Sequence, residues 1–263
     1  MLPIKFGRKA PTHFPHPSAK QFAEVVKPLV LPVPPVSMKW SPIANPTPGL
    51  NDILGNDTLS DCVPAAIGHS IDALRFRAQN GAAVVEAGDA LGFYERACGY
   101  VPGQNDPGCE LFAALSYWNV NGYFANGGSK ASGGVGWVDA TNKLEIKQAI
   151  WLMEAVQIGM YLPDAWVSAW SGENGFVWDV AGAPDPEHSH CVAALSYSDS
   201  LGVCIVSWGC AGYLTWAALA EYGVPANGGE VYVSLDPNII MNATGKSPNE
   251  FTEVQLGVDM TYI

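Results

Sequence analysis

The spacing of apolar residues divides this chain into a helical first half and a strand-rich second half. Over residues 62–79, Val63, Ala66, Ile67, Ile71, Leu74 and Phe76 recur at helical spacing, and Pro64 suits a first turn. Residues 88–98 and 109–121 form two further predicted helices, separated by the turn-rich GYVPGQNDPG. A glycine-rich loop follows from Gly122 to Gly136. A helix over 143–156 would then bury Leu144, Ile146, Ala149, Ile150 and Met153. Beyond it the segments MYL, FVWDV, HCVAALSY, GVCIVSW and EVYVSL are short, β-prone and separated by Gly, Asp, Asn and Pro. Helices first and strands later predict an α+β fold, a helical half and an antiparallel sheet or barrel half with a cleft between them.

The two ends differ from this body. Residues 1–50 hold eleven of the twenty prolines, and PLVLPVPP and NPTPG read as extended backbone. We therefore divide the chain into a Pro-rich arm (1–32), a body (33–236) and a C-terminal extension (237–263) ending in a possible strand. Within the arm, Ser18 to Val30 can form one short helix through Phe22, Val25 and Val26. The arm either wraps its own body or is held by an assembly partner. No internal repeat is present.

Composition narrows the function. Hydrophobic residues make up 48% and charged residues 14%, enough apolar material for a large core. The net charge of −12 disfavours binding to phosphate backbones, so no nucleic-acid partner is expected. Low charge and nine tryptophans are consistent with surface covered by a partner. No stretch is long and apolar enough to predict a membrane span, and residues 1–20 lack the apolar segment of a secretory signal. The expectation is a soluble protein, cytoplasmic or virion-associated.

Cys62 directly precedes the first strong helix, where the helix dipole and free amides favour a thiolate. The bland alternative is a buried structural cysteine. His190 opens HCVAALSY, and alternation places it with Val192 and Ala194 on one strand face, opposite Cys191, Ala193 and Leu195. His188 and His190 form His-x-His, but no CxxC or HExxH supplies further ligands, so neither metal nor cofactor is assigned. His69 lies two helical turns past Cys62 and reads as structural. Gly127, Gly128, Gly133 and Gly134 lack the context of a phosphate loop and read as loop-shaping.

Taken together, residues 33–236 resemble the papain family of cysteine peptidases. VSMKW is similar to the family's entry segment, GCELFAALSYWNVNGYF to its Gly-Cys turn and second helix, and KLEIKQAIWLMEAVQIGMYL to the helix leading into the sheet. HCVAALSY resembles its histidine strand, and Ser207–Gly209 the end of its Asn-Ser-Trp-Gly motif. Cys62 and His190 stand 128 residues apart, near the papain-type separation. The resemblance implies that Cys62 is the nucleophile and His190 its proton-transfer partner. Asn56 and the Cys62 amide would then stabilise the oxyanion, with Trp208 shielding the histidine. Cys98 and Cys109 stand where the family has cysteines bonded elsewhere, leaving a local disulfide and two free thiols both open. A Gly-Asn-Asp-Thr run and WGCAGYLTWA also resemble an uncharacterised branch of papain-fold proteins in bacteria and tailed phages.

The departures are specific. Val206 stands where the family places the asparagine that orients the imidazole, and valine cannot accept a ring N–H. Ser207, Asp179 or a backbone carbonyl would have to replace it. Asp61 beside Cys62 opposes thiolate formation if charged. Asn56 is one methylene shorter than the family's glutamine, and no family propeptide is recognisable. Two functions follow. One is a papain-like cysteine hydrolase of a peptide or isopeptide bond. The other is a catalytically weak structural or interaction protein, such as a phage head or tail component.

Overall fold

Strand β5 (Ser189–Ser198) organises the molecule, because its alternate side chains feed two separate cores. The computed structural model describes residues 4–25, 33–46, 49–79, 84–128, 134–234, 246–247 and 249–252. Val192 and Ala194 pack with Ile146 and Ile150 on one side of the sheet, while Cys191, Ala193 and Leu195 pack with Val63, Ile67 and Ile71 on the other. That is the alternation expected of a strand buried on both faces.

The elements run β1 (Lys20–Gln21), α1 (Phe22–Val25), α2 (Cys62–Gln79), α3 (Ala87–Cys98), α4 (Leu111–Asn121), β2 (Val135–Trp137), α5 (Lys143–Met153), β3 (Val156–Tyr161), α6 (Asp164–Ser168), β4 (Phe176–Trp178), β5, β6 (Gly202–Ser207), β7 (Cys210–Leu214), α7 (Trp216–Tyr222) and β8 (Glu230–Ser234). They form one mixed sheet in the order β1-β2-β8-β3-β5-β6-β7-β4. Its centre is antiparallel, while the edge pairs β1/β2 and β4/β7 are parallel. The α+β class stands, and the sheet is open rather than closed into a barrel.

Several local expectations shift. The helix predicted over 143–156 stops at Met153, because Glu154 adopts φ 68° and β3 begins at Val156. Leu144 is half exposed, since the buried stripe of α5 begins with Glu145 and Ile146. The end of the glycine-rich loop becomes β2, where Val135–Trp137 finds β8 as an antiparallel partner. Lys20–Gln21 is a strand and Phe22–Val25 one helical turn; the remainder of the helix predicted to Val30 lies outside the described residues. Most of PLVLPVPP, part of NPTPG and most of 237–263, including its possible strand, also lie outside them. Cys98 and Cys109 form a disulfide that joins the end of α3 to the turn before α4.

Residues 4–25 lie on the body. Phe22 and Val25 enter the core beside α5, and Ala23 N–H donates to Glu145 at 3.0 Å. Further upstream, residues 5–9 cross the seam between the two halves.

Candidate active site

Cys62 is the first residue of α2, since the Ala65 amide donates to the Asp61 carbonyl. The loop before it is fixed from the helical half. Ser60 N–H donates to both Asp106 oxygens and its hydroxyl to Oδ2, while the Tyr94 hydroxyl donates to Oδ1. On the sheet side, β6 and β7 are joined by Trp208–Gly209, with φ 46° and 72°. Positive φ at both central residues is the type I′ hairpin geometry. The turn lays the Trp208 indole over the His190 ring, with centroids 4.2 Å apart and planes 21° from parallel.

The backbone amides of Cys191 and Gly7 lie near the Cys62 thiol and favour its charged form. The thiol packs in the α2-side core with Cys191, while the His190 ring lies against Trp208 and Ser207. His190 Nε2 is 2.9 Å from Ser207 Oγ, and both groups are buried. Its other nitrogen, Nδ1, is buried without a hydrogen-bond partner among the described residues. Val206 points into the α2-side core, so Ser207 takes the contact with the ring. Asp179 lies elsewhere, accepting from Thr215 at 2.7 Å. Asn56 is buried and its amide donates to the Leu59 carbonyl at 3.1 Å, within its own loop. His188 sits in the turn before β5, with Nδ1 3.2 Å from Asp164 and 3.6 Å from Asp185. His69 is buried in α2.

The N-terminal arm, expected either to wrap its own body or to meet a partner, covers these groups. Residues 5–9 run along the seam as a strap. Lys5 N–H donates to Asn56 O (3.1 Å), and Trp208 Nε1–H to Lys5 O (3.2 Å). Gly7 and Arg8 N–H donate to Ser189 O, Cys109 N–H to Gly7 O (2.7 Å), and Lys9 N–H to Cys109 O (2.8 Å). Phe6 stands edge-on to both His190 and Trp208. At Gly7 a Cβ would lie 2.0 Å from Ser60 O, so only glycine can pass there. Arg8 is buried and pairs with Glu230, also buried.

Burial sets the electrostatics. Burial pushes the Cys62 thiol up to about 12, and the neighbouring Asp61 adds to the rise. Burial and then the Arg8 charge hold His190 down to about 3. Asp61 itself is pushed up to about 8 by burial, which the nearby Asn56 amide offsets only in part, so its carboxyl is neutral at pH 7. The closed site therefore holds a thiol and a neutral imidazole. The thiolate-favouring effect expected of a helix start is outweighed by loss of solvent.

No protein-family model matches the chain, and no curated protein sequence is similar to it. Solved structures do resemble it. Xylellain, a cysteine protease from Xylella fastidiosa, superposes over 89% of this chain and 97% of its own, with 13% identity and a TM-score of 0.54. Digestive procathepsin L2 proteinase from the Tenebrio molitor larval midgut matches 89% of this chain and 78% of its own, with 14% identity and a TM-score of 0.59. Two half-cores meeting at β5 have the fold of the papain-like cysteine proteases.

Proposed function

We propose that this chain is a cysteine hydrolase of peptide or isopeptide bonds, held latent by its own residues 5–9. Cys62 is the nucleophile. With its proton on Nε2, donated to Ser207 Oγ, His190 keeps a lone pair on Nδ1 for the thiol proton. The thiolate attacks the substrate carbonyl, and the imidazolium returns the proton to the leaving amine. Water then releases the acid and restores the thiol by the reverse transfer. Asn56 and the Cys62 amide are the oxyanion donors in this reading, and Trp208 keeps water from the imidazole. The observation that supports the proposal is a buried thiol at a helix start, packed in one core with Cys191, the residue after an imidazole whose Nδ1 has no hydrogen-bond partner among the described residues.

Removal of the strap is the test. Gly7→Ala cannot keep the strap seated, so it should hydrolyse an unfolded protein substrate where the parent chain does not. Adding Cys62→Ser or His190→Ala should abolish turnover. An open site that turns nothing over, with a thiol that titrates near 8.5 whether or not His190 is present, would defeat the reading.

A second reading keeps the scaffold without efficient catalysis, as in an interaction or virion protein. It is favoured by Val206 at the orienting position and by the neutral, desolvated pair. The Gly7→Ala comparison separates the two, because a scaffold gains no turnover when uncovered.

A further inference from the structure

The two histidines of His-x-His part company. His190 meets Ser207, whereas His188 Nδ1 meets two carboxylates outside the site described above, Asp164 Oδ1 at 3.2 Å and Asp185 Oδ2 at 3.6 Å. The three ligand atoms lie within 4.8 Å of one another, and among the described residues no other three His, Cys, Asp or Glu side chains converge as closely. The local fold brings them together. Pro186–His188 is a single 3₁₀ turn capped by Asp185, and side chains three apart eclipse in such a turn. Asp185 Oδ1 accepts from Glu187 N–H at 2.9 Å, which leaves Oδ2 on the His188 side. The turn is tied to the chain entering α6, since Leu162 N–H donates to His188 O (3.0 Å) and Asp185 N–H to Leu162 O (3.3 Å). Asp164, the first residue of α6, is thereby set against it. The Phe6 ring lies against the imidazole, with centroids 4.7 Å apart.

An ordinary histidine–aspartate pair does not account for this geometry. His188 Nδ1 is a buried atom, and although two carboxylates flank it, it makes a hydrogen bond to neither. Ligands of one tetrahedral ion stand in that relation. With bonds of about 2.0–2.2 Å to the metal, they lie about 3.3–3.6 Å apart, each off its neighbour's lone-pair axis. Charge agrees with geometry. Among the described residues neither Asp164 nor Asp185 forms an ion pair with a lysine or arginine, so two carboxylates face a single imidazole. The Asp164 side chain is 79% exposed, which opens the remaining coordination position to water. One ring nitrogen with two carboxylates suits zinc, whereas calcium and magnesium take oxygen ligands throughout.

We propose that Asp164, Asp185 and His188 bind a zinc ion, with water as the fourth ligand, and that the ion fastens α6 to the turn leading into β5. The site shares no residue with the hydrolase reading and stands or falls apart from it. The untagged full-length chain, stripped of metal with a chelator, should bind one zinc ion by calorimetry. Calcium and magnesium should bind far more weakly. Cobalt(II) in its place should give the visible bands of a four-coordinate ion, without the thiolate charge-transfer band that a cysteine site would add. Loss of a partner behind a metal ligand already costs about 10–100-fold in affinity, so Asp164→Asn and His188→Gln should each weaken zinc by about 100-fold or more. Cys62→Ala should leave zinc binding unchanged. Should His188→Gln fail to fold, Asp185→Asn, which can still cap the turn, joins Asp164→Asn in the comparison. An absence of saturable zinc binding, affinity indifferent to Asp164→Asn, equal binding of calcium, or a thiolate band with cobalt would each overturn the proposal.

Discussion

Among the described residues two arginine–glutamate pairs are buried, and they are built differently. Arg77 at the end of α2 pairs with Glu154 just after α5, so both partners belong to the body. Glu154 also accepts from the Asn249 side chain (2.9 Å) and backbone (3.2 Å), and Arg77 lies over the Trp40 ring. That pair is saturated. The other joins a body carboxylate to a strap that crosses the surface, and each partner keeps an atom unbonded. Buried ion pairs add little net stability but make the loss of either partner expensive. In the first pair that expense locks two helices together. In the second it ties down a segment laid over the surface.

The sharpest way to break this contrast is to cut both pairs. Glu154→Ala strands Arg77 inside the body and should cost about 3–5 kcal/mol in urea unfolding. Arg8→Ala frees a surface strap and lets water reach Glu230, so about 2 kcal/mol is expected. Equal losses would mean that the strap is as integral as the helices. Next in size is the uncovering of the thiol. In Gly7→Ala, a fall of the Cys62 pKa from about 12 towards about 8.5 raises the thiolate fraction about 10³-fold. The lower intrinsic nucleophilicity of a less basic thiolate reduces the gain in alkylation rate to about 10²-fold. Iodoacetamide labelling, mapped to Cys62 by peptide mass, checks it. An unchanged rate would show that the strap does not seal the site.

A third buried carboxyl extends the series, because Asp61 has no arginine at all. It stays protonated in the fold up to about pH 8, whereas the unfolded chain ionises near pH 4. The unfolded state releases the proton first, so this group makes stability fall as pH rises between those values, by about 1.4 kcal/mol per unit. Asp61→Asn should remove that share of the slope in urea melts at pH 5, 6 and 7. A slope unchanged by the substitution would mean that water or a cation reaches the carboxylate.

How much of this was legible depended on the range of the interaction. Cys62, His190 and Trp208 announced themselves through local strings and through alternation, which correctly split Val192 from Cys191 between two cores. Ser207 was legible only as one of three substitutes for the missing asparagine. Arg8 and Glu230 were not legible, because a lone arginine among prolines and an acid opening an apolar strand look ordinary until 222 residues of chain fold between them. The strap was hidden for the same reason. It is pinned largely by backbone donors and acceptors, which every sequence has, beside the absent side chain of Gly7, the Arg8–Glu230 pair and the Phe6 ring. Desolvation was likewise out of reach, so the expected thiolate gave way to a thiol.

The smallest effect concerns a hydrogen bond between two neutral groups. Ser207 Oγ is the partner of His190 Nε2, and neither residue carries a charge in the closed state. Such a bond is worth about 1 kcal/mol, which biases the imidazole tautomers by a factor of about five. In the proposed mechanism the bias matters because only the Nε2–H form leaves Nδ1 bare for the thiol proton. Ser207→Ala removes it, and the ¹⁵N shifts of the His190 ring should move from one dominant tautomer towards a mixture. Ser207→Thr keeps a hydroxyl and should hold the parent spectrum. In the Gly7→Ala background the alanine variant should lose about fivefold in Cys62 alkylation at pH 7, and the threonine variant should not. A ring spectrum indifferent to residue 207 would mean that packing against Trp208, not the hydroxyl, sets the proton. The serine would then be a neighbour of the site and not a substitute for the asparagine.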